Sequence, residues 1–149
     1  MVTAKVIHGS ESRFREVERN FALVRSQEYK KYLEKNNKED NDESKAEFLQ
    51  EVRDAGKDSE ERKKFARDIE CAQPSDDERD RERVRMYADL NKEKYQNFLK
   101  EKGVSDGASA RDVFYMTETI KGRNDPEFKK KWKSQLEGIN KTLDERGIK

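Results

Sequence analysis

Residues 75–103 read SDDERDRERVRMYADLNKEKYQNFLKEKG. Val84, Tyr87, Ala88, Tyr95, Phe98 and Leu99 recur there at spacings of three, four and seven, which puts them on one stripe of a helix. Asp77/Arg81, Glu82/Arg85 and Asp89/Lys92 stand three or four apart and can pair along its surface. Ser75 with Glu78 fits a capping box at the front, and Gly103 fits the residue just past the end. The spacing predicts one helix near residues 76–102, about 40 Å long at 1.5 Å per residue. Only two prolines, Pro74 and Pro126, interrupt the chain, and the apolar residues elsewhere also fall at threes and fours. The expected fold is therefore all-α, a bundle-like arrangement of roughly seven helices with the long one as spine.

Outward from that stretch the same logic repeats. Phe14, Val17, Phe21 and Val24 predict a first helix from Ser10, and Ser26 either caps a second segment or interrupts the first before Tyr29, Tyr32 and Leu33. Residues 36–43 are polar throughout and read as a loop. Ser44 with Glu47 and Asp58 with Glu61 mark two further starts, the second running through Phe65 and Ile69 to a stop at Pro74. Ser109 begins a helix ending near Gly122, and Asp125-Pro126 begins the last, which carries Phe128, Trp132, Leu136 and Ile139. This gives a terminal extension at 1–9, one helical domain at 10–146 and a frayed tail at 147–149. Tyr29-x-x-Tyr32-Leu33 echoes Tyr95-x-x-Phe98-Leu99, with Phe128 to Trp132 a looser version. The spacing between the three is irregular, so the echo reads as a core stripe flanked by lysine stems and not as a solenoid repeat.

Composition narrows the function classes. Of 149 residues 45% are charged, yet 34 Lys and Arg against 33 Asp and Glu leave a net charge of +1. Bulk charge therefore does not hold this chain to nucleic acid, and a binding face depends on how folding sorts the charges. Apolar content is 31%, a thin core carried by seven Phe, five Tyr and one Trp. Opposite signs alternate and can pair, which favours order over disorder. The single cysteine, Cys71, allows no internal disulfide and reads as a buried structural thiol. Nothing approaches the roughly 18 apolar residues of a membrane span, and Met1 to Ser10 lacks a signal-peptide run. The default location is the cytoplasm, and export without a cleaved signal is compatible with the same residues.

Catalytic and metal motifs are incomplete. Asp40, Asp42, Ser44 and Glu51 occupy four positions of a calcium loop, but Lys45 stands where glycine permits the turn. His8 is the only histidine, which strains zinc, di-iron and triad readings alike. No glycine-rich phosphate loop is present. A non-enzymatic protein without cofactor or metal is expected.

The charges are polarised along the chain. Residues 41–80 hold eight basic and fourteen acidic side chains, whereas residues 121–149 hold nine and five. Asp40, Asp42, Glu43, Glu47 and Glu51 mark an acidic face. Lys121, Arg123, Lys129, Lys130 and Lys133 mark a basic one, with Trp132 either in the core or beside the lysines as a platform for stacking a base. The expected function is that of a small interaction protein, an adaptor, inhibitor or effector binding a macromolecular partner, with protein first and nucleic acid as the alternative. A thin core also allows homo-oligomerisation through the long helix.

Overall fold

The computed structural model describes residues 2–149, with side chains from Arg13 onward. All regular structure among them is helical: α1 (Val2–Val24), α2 (Ser26–Asn36), α3 (Asp42–Ala55), α4 (Ser59–Cys71), α5 (Glu78–Leu90), α6 (Lys92–Lys102), α7 (Ala108–Asn124) and α8 (Pro126–Glu145). The all-α expectation holds. The chain divides into two compact units, Met1–Pro74 and Ser75–Lys149, and the division falls inside the span 10–146 read above as one domain.

In the first unit α1 packs on α3 and α4, while α2 lies against α1 and α3. Phe21, Ala22, Tyr29, Phe48, Leu49 and Ala72 form its core, with Val17, Tyr32, Leu33, Phe65 and Ile69 around it. In the second unit α5 packs on α7 and α8, which also pack on each other. Val84, Tyr87, Ala88, Tyr95, Leu99, Val113, Phe114, Ile139 and Leu143 are buried there.

The second unit repeats the first. Adding 66 to a residue number carries Phe21, Tyr29, Tyr32 and Phe48 onto Tyr87, Tyr95, Phe98 and Phe114. Phe48 meets Phe21, Tyr29 and Tyr32 at centroid distances of 5.8, 5.3 and 5.5 Å. Phe114 meets their counterparts at 5.8, 5.2 and 5.5 Å. The interplanar angles are 42°, 57° and 57° in one unit and 45°, 58° and 59° in the other. Each second helix ends in a left-handed residue, Asn37 at φ 50° and Gly103 at φ 69°. In each, the next amide closes the same bond, Lys38 to Leu33 and Val104 to Leu99. From the last helix of each unit onward the offset becomes 67, pairing the N-caps Asp58 and Asp125, then Phe65 with Trp132. We infer that the two units are copies of one four-helix module.

The expected helix over 76–102 is two helices. At Asn91 the backbone turns to φ −114°, ψ 40°, and the Asn91 Nδ2 donates to Tyr87 O at 2.9 Å, a local alternative that favours asparagine at helix breaks. The i to i−4 ladder nevertheless continues across the break, through Asn91 N to Tyr87 O and Tyr95 N to Asn91 O. Arg25 makes the matching break between α1 and α2 at φ −107°, ψ 47°. The count is thus eight helices among the described residues, not seven. Several expected starts also move. Ser10 lies inside α1. Asn41 rather than Ser44 caps α3, Asp77 rather than Ser75 caps α5, and Gly107 precedes α7. Asp58 caps α4 as expected, and Asp125 caps α8 with Pro126 in its first turn.

Candidate functional site

The acidic residues of α3 and its approach are largely engaged inside the first unit. Asp40 accepts from the Tyr29 hydroxyl at 2.7 Å and pairs with Lys45 at 3.2 Å. Asp42 receives both arms of Arg19 at 2.9 and 2.7 Å, which holds its carboxyl below the usual range. Glu47 pairs with Lys38 and accepts from Tyr32. Glu43 and Glu51 are exposed. Of the calcium-loop residues, Asp40 and Asp42 are thereby tied into pairs and Ser44 Oγ donates to Glu39 O at 2.6 Å, and no group of three or more His, Cys, Asp or Glu among the described residues is placed to hold a metal ion. The His8 side chain lies outside those described. Cys71 is half-buried and forms no disulfide among the described residues.

The Tyr29–Asp40–Lys45 arrangement recurs as Tyr95–Asp106–Arg111, with the hydroxyl donating at 2.5 Å and the guanidinium at 3.0 Å. Burial first, then the adjacent carboxylate, pushes both phenols well above their ordinary range, so they stay protonated donors. Each cluster pins the loop between the second and third helices of its module. Its presence in both units marks it as part of the scaffold.

The basic residues sit where α6, α7 and α8 of the second unit come together. Lys129, Lys130 and Lys133 are exposed on one arc of α8, and Lys121 and Arg123 are exposed in the last turn of α7. Trp132 takes another direction. Its ring lies so close to Gly122 that an added Cβ would stand 2.6 Å from Cδ2, and its Nε1 is buried with no acceptor among the described residues. Trp132 therefore packs against α7 and is half-buried. Phe128 is held by two ammonium groups, Lys94 at 4.4 Å and Lys121 at 4.6 Å from the ring centroid. Lys94 also reaches the buried Glu118 at 2.6 Å, which accepts from Tyr87 at 3.1 Å.

The first unit supplies the comparison that shows what the fold requires. Residues 91–94 and 121–133 hold eight basic and three acidic side chains, a balance of +5. Their equivalents, residues 25–28 and 55–66, hold five and four, a balance of +1. The aromatic core thus forms without the extra charge, although α7 and α8 pack on each other far more extensively than α3 and α4 do.

A second difference lies at the helix break. In the first unit the Arg25 guanidinium fills this place, bonded to Asp68 at 2.7 Å and Glu28 at 3.2 Å and lying 5.3 Å from the Phe21 ring. In the second unit the equivalents are Asn91 and Gln135, which exchange amide hydrogen bonds at 3.1 and 3.3 Å. Beside that shorter pair lies a groove of about 340 Å³ lined by Leu90, Lys92, Glu93, Lys94, Asn97 and Lys131. Leu90 is 58% exposed.

Apart from Lys131 of α8, which belongs to the basic C-terminal stretch, the groove residues were read in the sequence only as part of one long paired-charge helix. The signal that reaches them is the Tyr29/Tyr95 echo, once Phe48/Phe114 and Asp40/Asp106 are seen to share its 66-residue offset. No helix is long and apolar enough to cross a membrane among the described residues. No protein-family model, curated protein or solved structure matches the chain.

Proposed function

We propose that this is a non-enzymatic interaction protein, an adaptor, inhibitor or effector, that binds a protein partner through the basic end of its second unit. One observation carries the reading: the two units share the geometry of their aromatic cores, yet one carries +5 where the other carries +1. Arg123, Lys129 and Lys130 have basic counterparts in Lys57, Arg62 and Lys63, and the added cations are Lys92, Lys94, Lys121 and Lys133, which stand where the first unit has Ser26, Glu28, Ala55 and Ala66. Like charges gathered there repel each other, which favours a role in docking over one in stability. Lys121, Arg123, Lys129, Lys130 and Lys133 steer an acidic surface to dock and set its orientation. Trp132 packs against Gly122 and is half-buried, which weighs against its use as a stacking platform for single-stranded nucleic acid, whose affinity draws on stacking as well as phosphate contacts.

The test is paired charge reversal. Wild type, K129E/K130E/K133E and the first-unit control R62E/K63E/K64E are immobilised and offered nuclease-treated extract of the native cell, with light scattering to set aside self-association. A protein partner recovered by wild type and the control, and lost with K129E/K130E/K133E, is the expected result. Equal recovery by all three, or retention that disappears with nuclease, refutes the proposal.

A further inference from the structure

We propose that the groove beside the α5–α6 break is the docking site for an acidic peptide segment of the partner, with carboxylates on Lys92 and Lys131 and an apolar side chain on Leu90. The inference rests on the protein-binding reading above and adds the place and the chemistry of the contact. Three features point to that occupant. The groove joins two ammonium groups from different helices, Lys92 at the start of α6 and Lys131 on α8, and both are exposed. Lys94 is committed to Glu118 and the Phe128 ring, so it lends positive field without needing to move. Leu90 is 58% exposed in a unit whose other large apolar side chains are buried or half-buried.

Glu93 lies in the same lining and sets a limit on the ligand. A continuous polyanion such as a phosphate backbone would pass it at a cost, whereas a peptide can place an uncharged residue there. Leu90 offers van der Waals contact and no π face, which again suits a side chain better than a base.

The module's other copy indicates how the groove arose. Ser26, Glu28 and the Arg25–Asp68 pair stand in the first unit where Lys92, Lys94 and the Asn91–Gln135 pair stand in the second. Asparagine is shorter than the ion-paired arginine, and lysines replace serine and glutamate beside it, while Lys131 has its counterpart in Lys64. The two changes act on one spot and in one direction.

The reversal of those changes provides the experiment. Full-length protein is titrated into a fluorescein-labelled Glu-Glu-Leu-Glu-Glu peptide and followed by anisotropy at low ionic strength, beside a Glu-Glu-Ser-Glu-Glu peptide and an oligo(dT) probe. The leucine peptide is expected to bind several-fold more tightly than the serine peptide and more tightly than oligo(dT). N91R/Q135D rebuilds the first unit's ion pair in the groove and should weaken the leucine peptide about tenfold or more; K92E/K131E, confined to exposed positions, should do the same. Wild-type affinity in K92E/K131E, or equal affinity for the two peptides, overturns the inference. So does tighter binding of oligo(dT). Recovery of the partner lost in K129E/K130E/K133E but intact in K92E/K131E overturns the groove alone and leaves the basic-end reading standing. Peptide binding in the groove with partner recovery indifferent to K129E/K130E/K133E overturns the wider basic end alone.

Discussion

Gly122 and Gly56 correspond by sequence offset, but Gly122 lies inside α7 and Gly56 is the extended residue after α3, and replacement of each by alanine should have opposite effects. A Cβ on Gly122 would stand 2.6, 2.7 and 3.0 Å from Cδ2, Cε3 and Cγ of Trp132, where carbon atoms ordinarily meet at about 3.5–4.0 Å. The indole must withdraw by about 1 Å, and it is held in α8 by the same helix that buries Ile139 and Leu143. Overpacking of this kind costs about 1–3 kcal/mol, and alanine inside α7 returns about 1 kcal/mol of helix propensity. The net expectation is a loss of about 1 kcal/mol, or about 4–8 °C in Tm for a unit of this size. At Gly56 the nearest atom to a built Cβ is Arg53 O at 3.5 Å and φ is −70°, so alanine fits and should be neutral or stabilise by about 0.5 kcal/mol. Urea unfolding followed by tryptophan emission reads the second unit selectively, because Trp132 is the chain's only tryptophan. Circular dichroism reads both units. G122A should lower the fluorescence midpoint and shift the emission, and G56A should leave both unchanged. Phe65 stands where Trp132 does in the first unit, so G122A/W132F should lose less than the sum of its parts. A G122A protein as stable as wild type with unchanged emission would refute the reasoning.

The module pair yields three further expectations. Glu18 is buried and its carboxyl is pushed up by desolvation, whereas its counterpart is the buried Val84; E18V should stabilise the first unit by about 1 kcal/mol in urea denaturation at pH 7. Removal of the ammonium beside Glu118 in K94M should cost about 1–2 kcal/mol, and adding E118V, the residue type of Val52, should restore most of it in thermal melts. Asp42, held down by Arg19, and Asp106, held down first by the Tyr95 hydroxyl, contribute stability that is complete above the unfolded carboxylate range near pH ~4 and lost as pH falls through their lower folded values. D42N/D106N should therefore be weaker than wild type at pH 6, with the difference closing below about pH 4 in denaturant midpoints across that range.

The all-helical class was legible because period alone decides it: Val84, Tyr87 and Ala88, or Phe14, Val17 and Phe21, allow no other element. The breaks at Arg25 and Asn91 were not legible, since the apolar stripe and the backbone ladder both continue across them. Only a side chain turning back on its own helix marks the second one. The repeat was half visible in Tyr29/Tyr95. It was obscured because about three in four surface positions differ between copies and one extra residue before Asp125 shifts the final helix. The candidate basic residues Lys129, Lys130 and Lys133 were within reach of composition. The groove was not, because it lies beside an Asn91–Gln135 amide pair that stands where the first unit has the longer, ion-paired Arg25, a contrast that needs the alignment of the two modules.

The exchange of Arg25–Asp68 for Asn91–Gln135 also bears on how the chain assembles. Two copies of one module on a single chain can recombine during folding, a helix of one completing the bundle of the other, and tandem repeats are prone to this error. Here a mixed bundle would set Arg25 against Gln135 or Asn91 against Asp68, leaving a partly buried charge with a neutral amide in place of its counter-ion. Correct sorting restores one ion pair and one amide pair. The divergence at this position thus gives each module's own helices a matched pair that a mixed bundle would lack.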